Sequence, residues 1–251
     1  MLVLLDIGNT NTHAGLADAR RVVKQADFPT SHWRTGTMAG LVRRFAKGAR
    51  VHGVAFCSVV PKADAGVRSV ARRLFQLDAF QLTARTLTGV GIRYPRPATI
   101  GQDRLANAVA ARHRHGAPVV VVDFGTAVTF DVVDARGDYV GGIIAPGLAA
   151  MTDYLHEKTA LLPRIRIREV SAVIGRNTTG AMLIGAVHGY RGLVRGLLTE
   201  LKRELRCARL PVVATGGCAK LIAARLTEIT AVEPDLTLEG LRLAWKARRA
   251  E

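Results

Sequence analysis

Apolar and polar positions along the chain fall into short runs that predict strands and helices in alternation. Met1 to Leu5 is apolar and runs into Asp6-Ile7-Gly8-Asn9-Thr10; a second short apolar stretch, Ala14 to Ala17, completes a predicted hairpin that opens a sheet. Val51 to Val60 predicts a buried strand broken by Ser58 and Pro61, and Ala63 to Leu77 follows with helical spacing. Gln102 to His113 predicts another helix, with Leu105, Ala108 and Val109 on its apolar side. The opening pattern then recurs. Pro118 to Val122 runs into Asp123-Phe124-Gly125-Thr126-Ala127, and Val128 to Val133 returns before the turn Asp134-Ala135-Arg136-Gly137. Beyond it come a strand from Tyr139 to Ile144, the turn Pro146-Gly147 and a helix through Met151. A long helix from Ala181 to Leu201, a strand ending in Thr215-Gly216-Gly217 and a last helix from Leu238 complete the chain.

Strands alternating with helices define an α/β fold. The repeated strand, Asp, Gly-Thr turn and returning strand predict two related lobes, residues 1–116 and 117–251. The break falls where His115-Gly116-Ala117-Pro118 stops the preceding helix. Hairpins and crossovers both occur, so each lobe is expected to be a mixed sheet flanked by helices.

Hydrophobic residues make up 49% of the 251 and charged residues 22%, which excludes a disordered chain. No apolar run approaches the ~20 residues needed to span a bilayer. The first residues lack the basic start and small-residue cleavage pattern of a secretory signal. A soluble, cytoplasmic protein with no membrane partner is expected. The 36 Lys+Arg exceed the 20 Asp+Glu by a formal +16, but the basic pairs Arg20-Arg21, Arg43-Arg44, Arg72-Arg73 and Arg248-Arg249 are scattered, and aromatics are only 5%. Scattered charge gives solubility and steering without base readout, so no nucleic-acid partner is expected. Cys57, Cys207 and Cys218 are too widely spaced for a disulfide framework or paired zinc ligands and read as core thiols.

Three turns carry candidate chemistry: Asp6-Ile7-Gly8-Asn9-Thr10, Asp123-Phe124-Gly125-Thr126-Ala127 and Thr215-Gly216-Gly217. Each ends an apolar strand, where glycine lets backbone N–H groups approach an oxyanion and Thr adds a hydroxyl donor. Any one of them alone would pass for an ordinary hairpin turn. Asp6 and Asp123 add a carboxylate beside each loop, which suits a cation bridging phosphates. Walker and dinucleotide-binding signatures are both missing. Gly101-Gln102-Asp103-Arg104 opens a helix and reads either as a cap or as a carboxylate that takes a hydroxyl proton beside an Arg that holds an anion.

These runs resemble, in order, the motifs of type III pantothenate kinases. They are joined by Ser58-Val-Val-Pro, Gly141-Gly-Ile-Ile-Ala-Pro-Gly, Lys158-Thr-Ala-x-Leu-Pro, Ile174-Gly-Arg-Asn-Thr and Leu236-Thr-Leu-Glu-Gly-Leu. The resemblance implies an acetate-and-sugar-kinase/Hsp70/actin fold of two ribonuclease-H-like lobes with the active site in the cleft between them. It implies transfer of the ATP γ-phosphoryl group to pantothenate, the first step of coenzyme A biosynthesis, with Mg²⁺ and K⁺ or NH₄⁺, by a homodimer. Asp6, Ile7, Gly8, Asn9, Thr10, Asn11, Thr12 and His13 then correspond to the first phosphate loop, with Asp6 near Mg²⁺. Asp103 corresponds to the catalytic base, and Gly101, Gln102, Asp103 and Arg104 to the pantothenate-binding run, joined by Tyr94 and Thr178. Asp123 corresponds to the monovalent-cation ligand, Thr126 to an ATP contact, and Thr215, Gly216 and Gly217 to the nucleotide side. Ile184 departs from the family pattern, which has a small polar residue there.

Two readings from other classes compete. A ribonuclease-H-like nuclease would suit the basic surface but needs several carboxylates converging on two metals. A non-catalytic accessory or regulatory protein on the same fold would have no need of Asp103.

Overall fold

The computed structural model describes residues 1–249. The chain opens with β1 (Leu2–Ile7), β2 (Asn11–Ala17) and β3 (Val22–Pro29), followed by α1 (Ser31–Thr35), α2 (Met38–Phe45), β4 (Gly53–Ser58), α3 (Pro61–Phe75) and β5 (Ala79–Gln81). These five strands form one sheet in the order β3-β2-β1-β4-β5. β1 runs antiparallel to β2 and parallel to β4, β2 antiparallel to β3, and β4 parallel to β5. β1 is apolar at successive positions because both its faces are covered. Val3, Leu5 and Ile7 pack with Phe45, Ala63, Val67 and Ala71 on one side. Leu2 and Leu4 pack with Phe80, Leu82, Leu238 and Leu241 on the other. α3 starts on Pro61, whose missing N–H costs nothing in the first turn, and buries Ala63, Val67, Val70 and Ala71 at helical spacing. The short β6 (Gly91–Ile92) precedes α4 (Gln102–His115), which buries every residue from Leu105 to Ala111.

The chain then repeats its opening. β7 (Val119–Phe124) and β8 (Ala127–Val133) form an antiparallel hairpin, followed by β9 (Asp138–Pro146), α5 (Leu148–Lys158) and α6 (Thr178–Ile184). One π turn, Gly185–Gly189, links α6 to α7 (Tyr190–Glu204), so the single helix expected from Ala181 to Leu201 is interrupted at Ile184. β10 (Val212–Thr215), α8 (Ala219–Ala223) and β11 (Ala231–Val232) complete this part. The second sheet has the order β11-β10-β7-β8-β9-β6, with β7 parallel to β10 and β10 parallel to β11. Read from β9, its first five strands repeat the strand order of the first sheet. Asp6 faces His13 and Cys57 across β1, and Asp123 faces Thr129 and Thr215 across β7, so the two acids occupy matching positions.

The chain divides into two compact units. One is Met1–Gly116 with Gly137–Val140 and the C-terminal segment from Asp235; the other is Ala117–Arg136 with Gly141–Pro234. The last helix, α9 (Leu236–Arg248), therefore belongs to the first unit, not to a lobe running from 117 to the end. Its Leu238, Leu241 and Ala244 complete the core beneath β1, and Gly240 meets Ala106 of α4 so closely that a Cβ would strike the Ala106 carbonyl. Thr237 donates to Asn107 Oδ1 at 2.7 Å. Buried Glu239 accepts from the Val22 N–H at 2.8 Å and from Arg242 Nε at 2.8 Å. Periodicity predicts α9 but cannot say which sheet it covers.

Candidate active site

In the first unit Asp6 lies near the end of β1, just before the Gly8–Thr10 turn. Its strand partner Cys57 is fully buried, and the Cys57 thiol donates to Asp6 Oδ1 at 3.3 Å. Burial pushes the Cys57 thiol pKa well up, and the charges of Asp6 and then Asp103 add to the shift. Both carboxylates are thus close enough to be felt at one sulfur. The Gly8 N–H donates to the Asn11 carbonyl at 3.0 Å, and Thr30 holds the turn from beneath, its hydroxyl donating to the Gly8 carbonyl at 2.8 Å and its N–H to the Thr10 carbonyl at 2.9 Å. Asn9, Thr10 and Asn11 are exposed, while Ile7 and Thr12 are buried. The Thr12 hydroxyl is within 3.1 Å of the Thr30 hydroxyl and accepts from Trp33 Nε1 at 3.0 Å, so it braces the loop from inside. His13 pairs with Asp27 on the neighbouring strand.

Asp103 sits in the first turn of α4, where the helix dipole favours an acid. Its Oδ1 accepts from the Arg104 N–H at 2.8 Å, and a Cβ on Gly101 would stand 2.5 Å from that oxygen. Glycine at 101 therefore leaves the room that the folded-back carboxylate occupies. Enclosure raises the Asp103 pKa above the usual carboxylate value, against the lowering influence of the Arg104 N–H and charge. Gln102 ties the helix start to the sheet: its Oε1 accepts from the Ser58 N–H at 2.9 Å and from Gln81 Nε2 at 3.2 Å. Arg104 lies over the Tyr139 ring at 5.9 Å, and Tyr94 meets the same ring edge-on at 6.3 Å. Tyr94 is 37% exposed and Tyr139 is buried, so an aromatic wall backs the guanidinium.

The second unit gathers the remaining glycine turns. Asp123 lies one residue before the end of β7, beside Thr215 of β10, and the Gly125 N–H donates to the Ala127 carbonyl at 3.1 Å. Gly216, at φ +89°, packs so tightly on this turn that a Cβ would lie 2.5 Å from Asp123 Oδ1 and 2.7 Å from the Phe124 nitrogen. Gly147 donates its N–H to the Thr126 carbonyl at 3.2 Å, with no space for a side chain against Gly125 and Thr126. Asp123, Gly125, Thr126, Thr215 and Gly216 are therefore neighbours, with Thr126 and Gly217 exposed beside them. Thr178 is exposed at the start of α6, next to Asn177, whose Oδ1 accepts from the Gly180 N–H at 2.7 Å.

Four contributors escaped the sequence. Cys57 touches Asp6 only through strand register, Thr30 reaches the first turn from a neighbouring strand end, and Tyr139 backs Arg104 from a distant strand. Gly147, within a run already noted for its resemblance, gave the best available signal. Among the described residues no group of three or more His, Cys, Asp or Glu is placed to hold a metal ion alone. Single carboxylates beside backbone donors fit a hard cation shared with phosphate oxygens.

Two sheets of matching strand order, each with an acid ahead of a glycine turn, define a member of the acetate-and-sugar-kinase/Hsp70/actin fold. A ROK hexokinase from Thermus thermophilus has this fold, with a TM-score of 0.53 at 14% identity, covering 100% of this chain and 99% of that one. A Campylobacter jejuni chain described as a conserved Baf family transcriptional activator superposes with a TM-score of 0.65 at 18% identity, covering 99% and 100%. The family model of type III pantothenate kinase matches residues 2–200. The chain is 46% identical over 242 residues to a type III pantothenate kinase of Akkermansia muciniphila, covering 96% of this chain and 97% of that one. Over 267 residues it is 40% identical to that of Koribacter versatilis, covering 100% and 97%. The protein belongs to the type III pantothenate kinase family, and is an ATP-using kinase. No helix among the described residues is long and apolar enough to cross a membrane.

Proposed function

We propose that this protein transfers the γ-phosphoryl group of ATP to the primary hydroxyl of pantothenate, giving 4′-phosphopantothenate, the first step towards coenzyme A. The observation that carries this reading is the Gly101–Arg104 turn, where a carboxylate of raised pKa sits beside a guanidinium backed by aromatic rings.

Asp103 accepts the proton of the attacking hydroxyl, and its raised pKa makes it a better base than an ordinary carboxylate. Arg104 pairs with the pantothenate carboxylate, whose planar shape suits two parallel hydrogen bonds, while Tyr94 and Thr178 flank the substrate. Gln102 acts through position: its carbonyl, engaged by Ser58 and Gln81, fixes where α4 begins. The Asp6 to His13 loop receives phosphate oxygens, its exposed Asn9, Thr10 and Asn11 supplying contacts and its buried Thr12 the rigidity. Thr126 and Thr215 to Gly217 serve the nucleotide. Asp6 would hold Mg²⁺ and Asp123 K⁺ or NH₄⁺, which supply charge neutralisation on the transferring group. Phosphoryl transfer asks the protein for positioning and charge, and every group named here supplies one or the other. The protein works in the cytoplasm as a homodimer, without nucleic acid or membrane.

A coupled assay of ADP release with pantothenate, in the presence and absence of K⁺, tests the reading. Pantothenate-dependent turnover is expected, and its complete lack under both conditions overturns the proposal.

A further inference from the structure

A second concentration of chemistry lies at the opposite end of α4. A groove of about 820 Å³ is lined by Arg20, Arg112, His113, Arg242 and Lys246, with no acid among its lining residues. Arg112 is nine residues beyond Asp103, so about 13 Å of helix separates the groove from the base. Val109, Leu243 and Ala247 line it beside the charged groups, together with Thr88. A cavity of this size, apolar with a few converging polar groups, has the dimensions of a small-molecule site.

Two of the cations are fixed by the fold. Arg112 donates to the Gly89 carbonyl, and Arg242 donates through Nε to Glu239 and through Nη1 to the Ala19 carbonyl at 3.0 Å. Arg242 is only 7% exposed, and its Nη2 has no protein partner among the described residues. Arg20, His113 and Lys246 make no side-chain hydrogen bond or ion pair among the described residues, and all three are exposed. The nearby acids are already committed. Asp18 accepts from the Arg20 and Arg21 N–H groups at 2.7 and 2.8 Å, and Glu239 accepts from Val22 and Arg242 while facing Arg114 at 3.6 Å. Cations near helix C-termini complement the helix dipole, which accounts for one such group per helix. It does not account for a shared concavity with three unpaired basic side chains and a nearly buried guanidinium that keeps one amino group unpaired.

We propose that this groove binds a small polyanion of the di- or triphosphate class, separately from the nucleotide handled by the glycine turns. Two or more linked phosphoryl groups would span Arg20, Lys246 and the free edge of Arg242, each through charge-assisted hydrogen bonds. The apolar walls leave room for an uncharged body attached to them.

Pyrophosphate is the probe, titrated calorimetrically into the full chain with the catalytic site saturated by a non-hydrolysable ATP analogue and Mg²⁺, and again without them. The catalytic reading enters only through this masking step; the comparison of variants holds in both arms. Wild type should bind one equivalent of pyrophosphate under masking. Arg20→Ser with Lys246→Gln should weaken that equivalent by about tenfold or more, and Arg20→Lys with Lys246→Arg should restore it. Both positions are exposed, so a matched thermal melt checks that the fold is kept. No binding by masked wild type, or equal affinity in the charge-removed variant, overturns the proposal. A lowered Tm with unchanged affinity would assign the cations to helix-end stabilisation and likewise overturn it. Variant-sensitive binding of duplex DNA in place of pyrophosphate would replace the small ligand with a nucleic acid.

Discussion

Removing the Asp103 charge should cost activity and add stability together. Its folded pKa lies above the ordinary aspartate value, with burial as the main cause. Below that value the carboxyl is protonated in both states and folding carries no penalty. As pH rises past it the unfolded chain ionises first, so stability falls until the raised folded pKa is passed, and the loss persists at neutral pH. Asp103→Asn keeps an oxygen for the Arg104 N–H. It should melt above wild type at pH 7, with the gap closing towards pH 3, while kcat drops by about 10²–10⁴-fold. Melts at both pH values and steady-state kinetics check this; near-normal turnover removes Asp103 from the base role. Gly101→Ala separates position from presence. The nearest obstacle to its Cβ is the movable Asp103 carboxylate, so the variant should fold with little change in Tm yet lose kcat by at least tenfold. At this scale the turns were legible because Asp, Gly and Thr declare their chemistry locally. Cys57, Thr30 and Tyr139 were not, because each reaches its partner across strand register or from a remote segment.

Among the elements, the contact between α4 and α9 sets the tightest requirement. Gly240→Ala would drive a methyl group into the Ala106 carbonyl, a backbone atom that cannot rotate away. Overpacking of this kind costs about 1–3 kcal/mol, and at about 2–4 °C per kcal/mol for a domain of 150–250 residues Tm should fall by several degrees. Thermal denaturation followed by circular dichroism checks it, and an unchanged Tm would mean the two helices can slide apart freely. Most strands and helices were readable from periodicity. β3 was not, because its exposed charged residues mark it as an edge strand and hide its alternation. The π turn at Gly185 was also hidden, since a single extra residue leaves the helical pattern on either side intact.

For the whole molecule, sequence showed the duplication but assigned the last helix to the wrong half, since covalent order says nothing about which apolar face a helix covers. The +16 charge also acquires a partial location: four permanent cations and a histidine line one groove, and the rest stays spread over the surface. Scattered charge should still steer anionic substrates, so kcat/KM for ATP should fall as ionic strength rises from 0.01 to 0.15 M, where screening shortens from about 30 Å to about 8 Å. An increase with salt would dismiss steering.

The return of α9 to the first unit also bears on how the protein is made. During synthesis the N-terminal sheet emerges first and Phe80 and Leu82 follow, but Leu238 and Leu241 of α9, which complete the cover of Leu2 and Leu4, are translated more than two hundred residues after β1. At ~5–20 residues per second that face waits on the order of ten seconds for its cover. A nascent chain halted after Pro234 should therefore be cut readily by protease within its first hundred residues, and a chain that includes α9 should resist. The first hairpin is legible from its own residues, yet the sheet it belongs to is sealed only by a helix more than two hundred residues downstream.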